Sequence, residues 1–113
     1  MNELKPILLT YEGKEYQLDF DRKSAQRAEE LGLNLRSLLD GGQTITQAEL
    51  LFYCAFLKNH KWIQKKKTDE ILSHMADVSE LMQALMERYV APSNALLADE
   101  GEETKNVTWS IGE

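Results

Sequence analysis

Two periods of hydrophobicity divide the chain. Over residues 7–20, ILLTYEGKEYQLDF, apolar and polar positions alternate. A two-residue turn at Glu12-Gly13 sets Tyr11 opposite Lys14, Leu9 opposite Tyr16 and Ile7 opposite Leu18. Ile7, Leu9, Tyr16, Leu18 and Phe20 then share one side, and Thr10, Glu15, Gln17 and Asp19 take the other. Gly13 supplies the positive φ that such a turn needs. The pattern predicts a β-hairpin over residues 6–20 with one face to bury. A lone hairpin is marginal in water, so helices must cover it.

The period then lengthens. Asp21 stands where it can cap a helix over residues 22–31, with Gly32 as its stop. Ala25, Ala28 and Leu31 form a narrow stripe suited to close packing on the hairpin. Asn34 can open a short turn through Leu35, Leu38 and Leu39, closed by Gly41-Gly42. Thr46 and Glu49 have the spacing of a capping box, with Ile45 placed to staple onto Leu50. They predict a helix over 47–58 that is apolar on nearly every side from Leu50 to Leu57. A helix greasy all round is buried on more than one face, so this one should be the core.

KNHKWIQKKK, residues 58–67, follows directly. Lys58 and Lys61 suit the last carbonyls of a helix, a contribution of about 0.3–1 kcal/mol each at best. Lys65, Lys66 and Lys67 are expected in a connecting loop, with Trp62 and Ile63 folded back onto the core. Thr68 would cap a helix over 69–76 containing Ile71, Leu72 and Met75. Asp77 and Glu80 open the next, over 78–91, whose set Val78, Leu81, Met82, Leu85, Met86 and Tyr89 repeats at helical spacing. Pro92 should end or kink it. Residues 98–113 are acidic and lack a helical period, and read as a mobile tail in which Val107, Trp109 and Ile111 alternate like a short strand. The fold class predicted is mainly α with an N-terminal β-hairpin: a small α+β domain over 1–97 with a helical core built around residues 47–58.

Composition narrows the function classes. The 113 residues are 42% hydrophobic and 28% charged, as expected of one globular domain. The net charge of −6 opposes general affinity for a polyanion. Residues 58–67 nevertheless carry +5, leaving −11 elsewhere. Cys54 is the single cysteine, so no disulfide forms within the chain, and its apolar setting points to a buried small hydrophobe. MNELKPILLTYEG has neither an extended apolar core nor a small-residue cleavage site, and no stretch approaches the roughly 20 apolar residues that span a bilayer. Those features point to the cytoplasm.

Chemistry is scarce. His60 and His74 have no ligand-spaced partners, so neither a metal nor any other cofactor is expected. No phosphate-cradling glycine loop and no GxSxG are present, and nothing reads as catalytic. The lysine loop 58–67 with Trp62 is the one nucleic-acid candidate, since a base could stack on the indole. It contains no arginine, the side chain best suited to phosphate and base recognition, and matches no helix-turn-helix. Met75, Met82 and Met86 cluster instead in the last helices, where flexible thioethers fill cores or adapt to apolar partners.

Four stretches together, YEGKEYQLDFDRKSAQRAEELG, LLFYCAFLKNHKWIQKKKTDEIL, LMERYVAPSNALL and NVTW, resemble the small tail assembly chaperones of long-tailed bacteriophages and prophages of Gram-positive bacteria. The resemblance runs through most of residues 7–109. It implies a non-enzymatic protein of virion morphogenesis in the cytoplasm of the bacterial host. Such a protein binds hydrophobic helical segments of the tape measure protein, aids tail tube assembly, and leaves before the virion is complete. Many members also occur in a longer, frameshifted form. The partners implied are the tape measure protein and the tail tube protein, with a homo-oligomer open. Site residues come from the physical pattern: Lys61, Trp62, Lys65, Lys66, Lys67, Met82, Met86 and Trp109. Two rival readings are a structural head-tail or tail component retained in the virion, and a small nucleic-acid-binding regulator using the lysine loop.

Overall fold

A computed structural model describes residues 5–40 and 44–98. The hairpin forms as the alternation requires. Strand β1 (Ile7–Tyr11) pairs antiparallel with β2 (Lys14–Leu18), matching Ile7 to Leu18, Leu9 to Tyr16 and Tyr11 to Lys14. Both turn residues have positive φ, Glu12 at 52° and Gly13 at 80°. The tip is therefore a type I′ turn, in which Glu12 accepts a strain that an L-residue rarely carries.

Helix α1 (Arg22–Glu30) begins at Asp21, whose carboxylate accepts the Ser24 amide at 2.8 Å while the Ser24 hydroxyl accepts the Asp21 amide at 2.9 Å. Gly32, at φ 106°, turns the chain out of it. Ala25 and Ala28 are buried as expected, but Leu31 is exposed; Leu33, beyond the turn, enters the core instead. Asn34 starts α2 (Leu35–Asp40) by accepting the Arg36 amide. The expected Gly41-Gly42 stop lies outside the described residues.

The central helix is α3 (Thr44–Phe56), packed against α1, α2 and β2 and against two later helices, α4 (Lys65–Ser73) and α5 (Ser79–Ala98). A core built on this helix is what the apolar run predicted, and Leu51, Phe52, Cys54, Ala55 and Phe56 are fully buried. Its limits differ from 47–58. The chain is already helical at Thr44, so Thr46 lies inside the first turns rather than at a cap, and Ile45 is 76% exposed instead of stapled. Gln47 links the helix to the chain before it. Its buried amide accepts the Asn34 amide at 2.6 Å and donates to the Gly32 carbonyl at 3.2 Å, tying the α1–α2 connection to the first turns of α3. At the other end, the Asp19 amide donates to the Ala55 carbonyl, and Lys58 reaches the Asp19 carboxylate at 3.1 Å.

Further expectations are corrected. Lys65, Lys66 and Lys67 form the first turn of α4, not a loop, and Thr68 sits within the helix, donating its hydroxyl to the Lys65 carbonyl. α4 ends at Ser73, so Met75 follows the helix and packs from outside it. Trp62 does not fold back. It is 93% exposed, while Ile63 alone packs inward, because Tyr16, Phe56 and His60 already fill that corner of the core. Finally, α5 begins after Asp77, which accepts the Ser79 amide, and runs through Pro92 to Ala98 rather than stopping at 91. A proline there forfeits one helical hydrogen bond without ending the helix. Met82 and Leu85 are buried, with Val78, Leu81, Met86 and Tyr89 packed beside them. Arg88 ties α5 to the residues just before β1, its Nε donating to the Lys5 carbonyl at 2.8 Å.

Candidate functional site

Where α4 and α5 diverge over the start of α3, the apolar surface does not close. A groove of about 590 Å³ remains, with Ile45 and Ala48 from α3, Leu72 from α4, and Val78, Met82 and Met86 forming its apolar lining. Glu49 and Asp69 stand on its rim. Both carboxylates face Lys65, whose Nζ lies 3.8 Å from Glu49 and 3.0 Å from Asp69. Lys65 thus offsets one of the two negative charges on this wall. The spacing of Met82 and Met86 along one helix face, with Ile45 across from them, gives a trough that fits side chains at helical intervals.

The sequence-derived site residues are divided between different surfaces. Met82 and Met86 line the groove, and Lys65 braces its rim. Lys67 faces away, clasping the hairpin tip. Its ammonium lies over the Tyr11 ring at 5.2 Å and within 3.5 Å of Glu12 and 3.4 Å of Glu70. The Tyr11 hydroxyl donates to Glu70 at 2.8 Å. This hydrogen bond first, and Lys67 next, hold the Glu70 carboxyl below the usual carboxylate range. Lys66 is exposed on α4. Lys61 and Trp62 line a separate cleft of about 430 Å³ with Lys14, Tyr16, Lys58 and His60. Trp109 lies outside the described residues.

His60 is a structural acceptor in that cleft. The Gln17 amide donates to its Nε2 at 3.0 Å, which requires that nitrogen to be unprotonated. Burial, reinforced by Lys14, lowers its pKa below 6.5. Burial also pushes the Cys54 thiol up to about 12, leaving it without thiolate character at neutral pH. Among the described residues, no cluster of His, Cys, Asp or Glu could hold a metal ion, and no helix is long and apolar enough to cross a membrane.

Ile45, Ala48, Leu72 and Val78 were not singled out as site residues from sequence. Ile45 carried a visible signal, an isoleucine beside a helix start, but it fitted a staple equally well. The groove itself depends on the angle between α4 and α5, for which no local pattern codes.

Over residues 2–112 the sequence matches the family described as Domain of unknown function (DUF5055). The chain belongs to that family. No curated protein and no solved structure matches it.

Proposed function

We propose that this protein is a non-enzymatic tail assembly chaperone, acting in the cytoplasm of a bacterial host and holding a hydrophobic helical segment of the phage tape measure protein. The observation that carries the reading is the open groove between α3, α4 and α5, where Ile45, Val78, Met82 and Met86 meet at helical spacing. An amphipathic helix lays its apolar face into such a trough, and methionines let one trough accept several sequences. The four stretches that resemble tail assembly chaperones supply the identity of the partner. Two of them contribute to the groove, through Leu72 of the aromatic-helix stretch and Met86 of the LMERYV stretch.

The lysine-rich stretch 58–67 does not support a nucleic-acid regulator equally well. Lys58, Lys65 and Lys67 are each within 3.5 Å of a carboxylate, so much of the +5 is already neutralised.

Co-expression of the full chain with a phage tape measure protein tests the proposal. The expected result is a soluble complex recovered by pull-down. Ile45→Glu should abolish recovery while leaving the melting temperature unchanged, because Ile45 is exposed; Lys66→Glu should leave recovery intact. A complex that survives both Ile45→Glu and Met86→Glu removes the groove from the reading. Stoichiometric retention of the protein in purified virions contradicts a chaperone.

A further inference from the structure

At the far end of α3 the acidic protein turns locally basic. A cleft of about 410 Å³ is lined by Lys23 and Arg27 from α1 together with Tyr53, Leu57, Lys58 and Lys61. It shares Lys58 and Lys61 with the neighbouring cleft that contains Lys14 and Trp62, so the two form one continuous face. Some of this charge is spoken for. Lys58 pairs with Asp19 at 3.1 Å, Arg27 with Glu30 at 3.5 Å, and the Asp21 carboxylate accepts the Ser24 amide and hydroxyl. Lys14, Lys23 and Lys61 have no carboxylate partner among the described residues. Beside them stands Trp62, 93% exposed. A large indole left in water next to unpaired ammonium groups calls for an occupant with both carboxylates and an apolar side chain.

Residues 99–113, DEGEETKNVTWSIGE, have that composition. Asp99, Glu100, Glu102, Glu103 and Glu113 against Lys105 give the segment a net charge of −4, and Val107, Trp109 and Ile111 follow the acidic block. The segment continues from Ala98, the last residue of α5. The eleven residues from there to Trp109 can reach about 36–40 Å when extended. The molecule measures 55 × 32 × 25 Å along its principal axes, so much of the surface is within range. A tethered segment also acts at an effective concentration of about a millimolar, which favours it over a second copy in dilute solution.

We infer that residues 99–113 dock on this face of their own chain, with carboxylates against Lys14, Lys23 and Lys61 and Trp109 at the Trp62 corner. The inference is independent of the groove reading, since it uses the opposite end of α3. A nucleic acid would use the same lysines, but it would meet the field of a chain of charge −6 without the benefit of a tether.

Trp62 and Trp109 are the only tryptophans, so Trp62→Phe in the full chain leaves Trp109 as sole reporter. The expected result is a blue-shifted Trp109 emission, shielded from acrylamide relative to the free peptide 99–113 and unchanged on dilution. Raising the salt, or adding Lys14→Glu, Lys23→Glu and Lys61→Glu, should abolish the shielding while circular dichroism stays the same. Should the triple variant not fold, Lys61→Glu alone must still reduce the shielding. Trp109 as accessible as in the peptide overturns the inference. So does shielding that ignores both salt and charge reversal, shielding that appears only as concentration rises, or a mobility shift with nucleic acid at physiological salt that the charge reversals remove.

Discussion

Phe56 is fully buried with its ring edge-on to Phe52 at 5.0 Å and to Tyr16 at 5.3 Å. It joins the central helix to the hairpin, so its loss opens a void between two elements rather than at a surface. Phe56→Ala should cost about 3–5 kcal/mol, the range for large-to-small changes at packed core positions. Urea melts checked for an unchanged m-value measure this, and a cost below about 1 kcal/mol would show that the corner collapses around the gap. Gln47 is the polar counterpart. Both halves of its amide serve backbone groups of the α1–α2 connection, at Asn34 and Gly32. Gln47→Leu keeps much of the volume and leaves an amide and a carbonyl unpaired, an expected loss of about 1–3 kcal/mol. Equal stability of Gln47→Leu and the parent chain would mean that water satisfies both groups.

At the scale of elements, what could be read from sequence follows from how locally each element is determined. The hairpin register was legible because alternation and the Gly13 turn specify it twice over, and a slip by one residue would turn Leu9, Tyr16 and Leu18 to solvent. The α1 start was legible because Asp21 caps it directly. The starts of α3 and α4 were not. Thr46-x-x-Glu49 has the right spacing for a cap, but the chain is already helical at Thr44, and the Gln47 bonds to residues 32 and 34 that fasten this end of the helix are tertiary. In α4 three lysines occupy the first turn, where the helix dipole disfavours them. Lysine's helix propensity, the Lys65–Asp69 pair one turn apart and the Lys67 clasp on Glu12 offset that penalty. The groove, a product of interhelical angle, was beyond any such local signal.

The tie between the hairpin and the α3–α4 connection carries a pH dependence with a definite sign. His60 accepts from the Gln17 amide only when its Nε2 is free, and burial followed by Lys14 lowers its folded pKa. As pH falls the unfolded chain takes up the proton first. The stabilisation is therefore complete above about pH 6.5 and lost as pH drops through the folded pKa. The parent chain should lose more melting temperature than His60→Gln between about pH 7 and about pH 5. Glu70 and Asp21 act in a separate, lower window. Their carboxyls are held down, by the Tyr11 hydroxyl in the first case and, against the upward push of burial, by the Ser24 bonds in the second. Parallel curves for the two chains above about pH 5 would show that His60 contributes nothing to the profile.

Taken whole, the molecule is organised around one rod with a different face at each end: apolar and open where α4 and α5 part, basic and aromatic around the α3–α4 connection. Burial of the rod has a consequence for experiment. Cys54 is the only thiol, it has no exposed surface, and its pKa near 12 keeps it protonated. An alkylating reagent can reach it only when the surrounding elements separate, so labelling proceeds at the intrinsic rate scaled by the fraction of time the domain is open. For a stability of about 5 kcal/mol, modification should be slower than in denaturant by a factor on the order of several thousand. Labelling at the denatured rate would contradict the buried position. The domain thus holds an internal stopwatch for its own breathing. Any partner that clamps α3, α4 and α5 together should slow that stopwatch, even one with no spectroscopic signal of its own.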